Sequence, residues 1–381
     1  MLATIGTSAR GQGTGPSQML QWTPEGSVIT LLVPEDRGAE PRLDPIPVGP
    51  LTRRTREGAT STRTFPNLLE DPHDEALFEH YTRSQPAELR PGAPPRPLGE
   101  PGMYESISLS PDGRHILATR IEGPFSYITS YRGFPRTTVI LDRSGAEVAE
   151  LDHRPLNEGG GFGGGNGGGP RAFAWLPDGS GLGYLERAAR DEEDPSAPRP
   201  DRLMRVSAPF DLDQGQGLAE SEDPVGSVTY SLDGAHAFAT VSKGGDQAIA
   251  YWRLGTSSPD RRILVDFYDT SDPTGLKGDL ATNETGNGLE YAAVSGRGNA
   301  AFLTGPGYKE DFRPQPFVDR LSLSDGSTER IFEGTTEFFD RPLVLLDPDA
   351  GRLIVSRESM TDFPDSFLWE NGSWENLTNN V

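Results

Sequence analysis

The chain has 381 residues, of which 46 are glycine and 34 proline, a density of breakers that excludes long helices and points to a turn-rich, all-β protein. Acidic residues outnumber basic ones 57 to 35, for a formal net charge of −22; that field repels phosphate backbones and anionic headgroups, so no nucleic acid and no membrane is expected as a partner. The sequence has no cysteine, which removes disulfide scaffolds, thiol nucleophiles and thiolate metal sites. Residues 1–15 lack a charged segment followed by an apolar one, and no apolar run is long enough to span a bilayer, so a soluble chain without a signal peptide is expected, cytoplasmic or periplasmic.

From the N-terminus the first signal is a turn, Trp22-Thr23-Pro24-Glu25-Gly26, followed by an apolar strand at 28–33. It recurs as Ser110-Pro111-Asp112-Gly113, Trp175-Leu176-Pro177-Asp178-Gly179, Ser231-Leu232-Asp233-Gly234, Ser295-Gly296-Arg297-Gly298 and Asp347-Pro348-Asp349-Ala350-Gly351, each leading into a strand. The aligned glycines are 87, 66, 55, 64 and 53 residues apart, longer than the common propeller repeat of about 40–45, so long loops are expected between strands. Second hairpins fill the intervals, at 137–141 with 147–151 and at 317–323 with 328–332, around turns containing Gly145 and Gly326. Two hairpins per repeat make a four-stranded antiparallel unit, and six such units make a β-propeller, because each small sheet buries its faces only against its neighbours. A β-sandwich or barrel array is the rival fold.

Insertions interrupt the pattern within what is read as one propeller over 1–381. Residues 34–63 are Pro-rich and charged and read as an extended insertion, and 64–85 as a linker with a short helix. That helix should be capped by Asp71, with Pro72 at its first position and Asp74 in its first turn, ending near Tyr81. Residues 158–170 hold nine glycines, and 190–201 are acidic and Pro-rich; both read as surface loops.

No serine lies in the Gly-x-Ser-x-Gly arrangement of a nucleophile elbow; the nearest approaches are Ser8 and Ser257. None of the five histidines has zinc-site spacing, and His115 and His236 fall at equivalent places after blade turns, which points to a repeat-structural role. The 159–169 glycine run matches a phosphate-loop pattern, but a strand follows where the helix should begin. Asp211, Asp213 and Glu222 match a calcium loop, yet Gly215 and Gln216 occupy its fifth and sixth places. No catalytic residue, metal ligand or cofactor is therefore assigned.

The segment Thr64-Phe65-Pro66-Asn67-Leu68-Leu69-Glu70-Asp71, continuing through Asp74-Glu75, Leu77-Phe78 and Tyr81 to Ser84-Gln85, resembles one that precedes a blade in the glutamyl endopeptidases, a branch of the prolyl oligopeptidase class of serine peptidases. The run Tyr104-Glu105-Ser106, Pro124-Phe125-Ser126-Tyr127 and Phe134-Pro135-Arg136 is similar to that branch's most distinctive propeller motif, and Phe317-Val318-Asp319 with Glu329-Arg330-Ile331 also fits. The resemblance implies a non-catalytic propeller that caps an α/β-hydrolase domain of the same polypeptide and filters peptide substrates for a Ser-Asp-His triad lying beyond this chain. It also suggests Arg132 and Arg136 as binders of a substrate carboxylate, the alternative being a salt bridge between blades. Gly133 stands where that family usually has arginine. The competing functional reading is a free-standing propeller that binds a peptide or a protein. Because the family carries about seven blades and six are visible, an open, C-shaped array is expected, with the faces at 28–33 and 343–346 partly exposed.

Overall fold

A computed structural model describes residues 20–42, 68–158, 168–188, 193–194, 197–256 and 259–380. Most of the insertion at 34–63, the core of the glycine run and parts of the acidic stretch lie outside the described residues.

The chain forms six four-stranded antiparallel sheets, each a meander in sequence order. The first holds β1 (Gln21–Trp22), β2 (Val28–Leu32), β3 (Gln85–Leu89) and β4 (Arg96–Pro97), with helix α1 (Pro72–Thr82) inserted between β2 and β3. The second holds β5 (Met103–Leu109), β6 (His115–Ile121), β7 (Arg136–Asp142) and β8 (Glu147–Arg154), and the third β9 (Gly169–Trp175), β10 (Leu182–Arg187), β11 (Asp201–Val206) and β12 (Gln216–Ser221). The fourth holds β13 (Val225–Tyr230), β14 (His236–Lys243), β15 (Asp246–Arg253) and β16 (Arg262–Tyr268). In the fifth, β17 (Asp279–Leu280) is followed by a separate two-stranded hairpin, β18 (Thr282–Glu284) and β19 (Glu290–Ala292), before β20 (Ala300–Gly305), β21 (Phe317–Ser322) and β22 (Thr328–Glu333). The sixth holds β23 (Phe339–Asp347), β24 (Arg352–Glu358), β25 (Asp365–Glu370) and β26 (Ser373–Asn376). These are the blades of a β-propeller.

The repeated turn has one conformation throughout. All six aligned glycines, Gly26, Gly113, Gly179, Gly234, Gly298 and Gly351, have φ between +64° and +80°, a region that costs an L-residue about 1–2 kcal/mol. The serines of the motif serve the same turn: Ser110 Oγ accepts from the His115 amide at 2.9 Å, Ser231 Oγ from the His236 amide at 3.0 Å and Ser295 Oγ from the Ala300 amide at 3.1 Å. The turn thus closes each first hairpin with little help from the rest of the molecule.

Between blades the core divides into five clusters, one for each junction from the first blade to the sixth. Ile29 meets Leu109 and Val139 at the first junction, Leu117 meets Trp175 and Tyr184 at the second, Leu203 meets Trp252 at the third, Phe238 meets Phe317 at the fourth and Phe302 meets Trp369 at the fifth. Among the described residues no cluster and no strand ladder joins the sixth blade to the first. The array is not closed. At its two ends Trp22 is 53% exposed, and on β23 Phe339, Leu343, Val344 and Leu346 are 61%, 43%, 40% and 52% exposed. The face at 28–33 is partly exposed, as expected, with Ile29 fully buried against the second blade.

Buried carboxylates bolt strands together. Glu88 on β3 accepts from Ser27 Oγ at 2.6 Å, from Arg96 at 2.7 Å and from Arg143 of the second blade at 2.6 Å. Asp201, fully buried on β11, holds Arg187 and Arg171 and accepts from the Val225 amide of the fourth blade at 2.8 Å. Burying a carboxylate is costly unless it is paired and hydrogen-bonded, and both are. No helix among the described residues is long and apolar enough to cross a membrane.

Candidate functional site

The site is built where the first strands of the first four blades face the axis. A cavity of about 440 Å³ lies there, lined by Gln21 of β1, Glu105 and Ser106 of β5, Trp175 of β9, Thr229 of β13 and Glu290 of the β18–β19 hairpin, among others. Gln21 reaches across the blade junction to the β5 backbone, donating to Ile107 O at 2.9 Å and accepting from the Leu109 amide. The Trp175 indole donates to Ser108 O at 2.8 Å, so three blades share one rigid wall. Tyr230 also lines the cavity, and burial pushes its phenol well above its usual range, so it remains neutral. Two carboxylates line the cavity, Glu105 and Glu290, and the lining contains no lysine, arginine or histidine.

The two sequence features singled out above pack on each other and reach this cavity through one residue of its wall, Glu105, which Arg136 holds. Asp71 caps α1, its carboxylate accepting from the amides of His73 at 2.8 Å and Asp74 at 3.0 Å. The helix then places Phe78 against Phe125 and Phe134, with ring centroids 5.3 and 5.6 Å away in edge-to-face contact. The helix insertion and the Phe125 to Arg136 run are therefore one packed unit, although they come from different blades.

Arg136 fixes that unit to the axial wall. Its Nε donates to Glu105 Oε2 at 2.8 Å and its Nη2 to Glu105 Oε1 at 3.3 Å. Nη2 also donates to Tyr131 O at 3.1 Å, and Nη1 donates to the carbonyls of Arg132 and Phe134. These contacts use all five N–H donors of the guanidinium, and a substrate carboxylate would have to displace Glu105 to reach it. The Arg132 side chain is exposed beside it, on a short 3-10 turn, Tyr131–Gly133. Gly133 has no room for a side chain: a Cβ there would lie 2.6 Å from Asn157 O and 2.8 Å from Thr129. The arginine that the resembling family carries at this place does not fit the backbone packing of this chain.

Of the other residues weighed in the sequence, Ser8, Ser257 and the glycines at 159–167 lie outside the described residues, and His236, His115 and Asp211 serve structure. His236 is buried, stacks on Tyr251 and shares a 3.0 Å hydrogen bond with its hydroxyl; burial lowers its pKa and keeps it neutral at pH 7. His115 packs edge-on against Phe210 of the third blade. Asp211 caps a 3-10 turn, accepting from the Asp213 amide at 3.0 Å. Sequence reasoning missed Glu105 as the partner of Arg136, since charge pairing across 31 positions leaves no local pattern. It also missed the β18–β19 hairpin, although Asn287-Gly288 between two short extended runs is a strong hairpin signal.

Fold and site define a blade array of the propeller class with an axial cavity. No protein-family profile matches the chain. By sequence it is homologous to glutamyl endopeptidases: it is 25% identical over 368 residues to a probable chloroplastic glutamyl endopeptidase of Oryza sativa subsp. japonica, covering 91% of this chain. It is 24% identical over 381 residues to the Arabidopsis thaliana counterpart, covering 94%. The chain spans 39% of the length of each of these relatives. Among solved structures, it overlays on prolyl oligopeptidase B of Galerina marginata with a TM-score of 0.46 at 11% identity, over 78% of this chain and 41% of that one. On the β-propeller domain of the Trilobed protease of Pyrococcus furiosus the TM-score is 0.42 at 12% identity, over 95% and 83%.

Proposed function

We propose that the chain is the propeller portion of a serine peptidase of the prolyl oligopeptidase class, receiving an extended peptide in its axial cavity and presenting it to an α/β-hydrolase domain of the same polypeptide. The observation that carries this reading is the axial cavity, whose wall at Glu105 and Ser106 belongs to a segment in which the chain resembles glutamyl endopeptidases and is tied through Arg136 to the Phe125–Arg136 run. The propeller's part is selection and positioning. No nucleophile elbow occurs in the sequence, so peptide or ester hydrolysis by this chain alone that is abolished by a serine-directed phosphonate would overturn that division of labour.

On the turn beside Arg136, the exposed Arg132 is the group offered to a substrate carboxylate, while Arg136 holds Glu105 and shapes that turn. Binding of an extended peptide is read from Trp175 fluorescence. Ser106→Phe, on the exposed wall of β5, should obstruct the cavity and weaken binding with an unchanged unfolding midpoint; unchanged peptide affinity would remove the cavity from the reading. Arg132→Gln should weaken a Glu-containing peptide more than a neutral one, and equal weakening of both would leave Arg132 without that role.

A further inference from the structure

The first strand of the fifth blade is broken in two. β17 pairs with β20 through Asp279 with Thr304 and Leu280 with Leu303, and pairing resumes only at Val294 with Ala301. The β18–β19 hairpin leaves the blade between these points through a narrow neck, where the Ala293 amide donates to Ala281 O at 2.9 Å. The neck is made of small buried residues, Ala281, Ala292 and Ala293. From it the hairpin runs toward the axis, so that Gly288, Leu289 and Glu290 form part of the cavity wall.

Four contacts fix it in that position, one of them apolar: Leu289 packs against the cluster of Leu117, Trp175 and Tyr184 between the second and third blades. Ala292 bridges Ser231 of the fourth blade, and Asn283 Nδ2 donates to Leu345 O of the sixth at 3.2 Å. At the tip Asn287 Nδ2 donates to the carbonyls of Leu109 at 3.2 Å and Ser110 at 3.4 Å, at the start of the second blade's turn. Thr285 Oγ1 donates to Asn287 Oδ1 and so aims the amide at those two carbonyls. The tip is a three-residue loop closed by the Gly288 amide on Thr285 O and the Thr285 amide on Leu289 O, both at 2.9 Å, with Gly288 at φ +82°.

We propose that this hairpin is a hinged plug across the propeller axis, anchored at its alanine neck and latched by Asn287 to the second blade, and that its release opens the cavity at the turn side. The contrast between its ends supports this. The neck is buried and carries main-chain bonds to its own blade, whereas the far end is mostly polar, with Glu284, Gly286 and Glu290 exposed, and is held to the opposite wall by side chains alone, the Asn287 amide and the partly buried Leu289. Such a segment belongs to the low-stability end of local opening. The inference does not depend on what the cavity receives.

The cysteine-free sequence allows a direct test. A thiol is introduced by Leu289→Cys on the cavity side of the hairpin, and in a separate chain by Val318→Cys at a fully buried position of β21, and each is labelled with a maleimide with and without Asn287→Ala. Unlatching should speed labelling at position 289 about tenfold and leave position 318 unchanged. Equal rates at 289, or equal acceleration at both positions, would overturn the plug. Hydrogen exchange on the cysteine-free Asn287→Ala chain reads the same event: faster exchange should be confined to 282–292, and exchange unchanged there or raised in every blade would reject it.

Discussion

The fourth and sixth blades share one turn geometry and one strand order, yet their apolar residues meet different fates. In the fourth, Phe238, Tyr251 and Trp252 are all less than 5% exposed, because the third and fifth blades cover both faces of the sheet. In the sixth, Leu345 and Leu353 are buried against the fifth blade, while Phe339, Leu343, Val344 and Leu346 of β23 stand open. A blade's stability is therefore a property of its neighbours more than of its own strands, as nearest-neighbour energetics in repeat proteins requires.

The turn glycines record the same contrast. A Cβ on Gly113 would lie 2.8 Å from Pro24 of the first blade, one on Gly234 2.2 Å from Asp178 of the third, and one on Gly298 3.3 Å from His236 of the fourth. Around Gly26, at the start of the array, nothing lies within 4 Å of the same position. Each internal turn faces the preceding blade, and the first turn faces none among the described residues.

The largest effect that tests this contrast is removal of a buried aromatic. Trp252→Ala in the fourth blade should cost about 3–5 kcal/mol in denaturant unfolding, whereas Leu346→Ala in the sixth should stay within about 0.5 kcal/mol; similar losses would abolish the distinction between internal and terminal blades.

Next comes the Glu88 hub. Burial would raise this carboxyl, but hydrogen bonds from Ser27, Arg96 and Arg90 and the charge of Arg143 outweigh it and lower its pKa from 4.5 to about 2. A folded-state value below the unfolded one gives stability that is fully present above about pH 4.5 and is lost as pH falls toward 2. Glu88→Gln should cost about 3 kcal/mol at neutral pH and flatten the fall in thermal midpoint across that window. An unchanged acid slope would show that the junction of the first two blades does not rest on this charge.

A smaller effect is expected at the turns. Gly26→Ala should lose only the backbone term, about 1 kcal/mol, and Gly113→Ala clearly more because the rigid Pro24 ring of the first blade lies 2.8 Å from the added Cβ; equal losses would mean that the turns are not packed blade on blade. The smallest change in stability belongs to the open strand. Leu343→Ser with Leu346→Ser should leave the unfolding midpoint within error but reduce concentration-dependent self-association in analytical ultracentrifugation, because an exposed apolar strand invites pairing.

The sequence by itself determined what is local. Glycine at a left-handed position with a Ser or Asp beside it specifies its turn within five residues, so the blade count was legible, as were the hairpins around Gly145 and Gly326 and the helix capped by Asp71. The sequence also carried the Asn287-Gly288 turn, and what that hairpin does was hidden, because a two-stranded insert reads the same whether it points to solvent or to the axis. Only the tertiary structure decided the rest. It brought Asn287 to Leu109 across 178 positions, committed Arg136 to Glu105, packed Phe78 of one blade against Phe134 of the next, and left β23 uncovered. These outcomes depend on which blade lies beside which, and packing between units distant in sequence has no periodicity for a single chain to display.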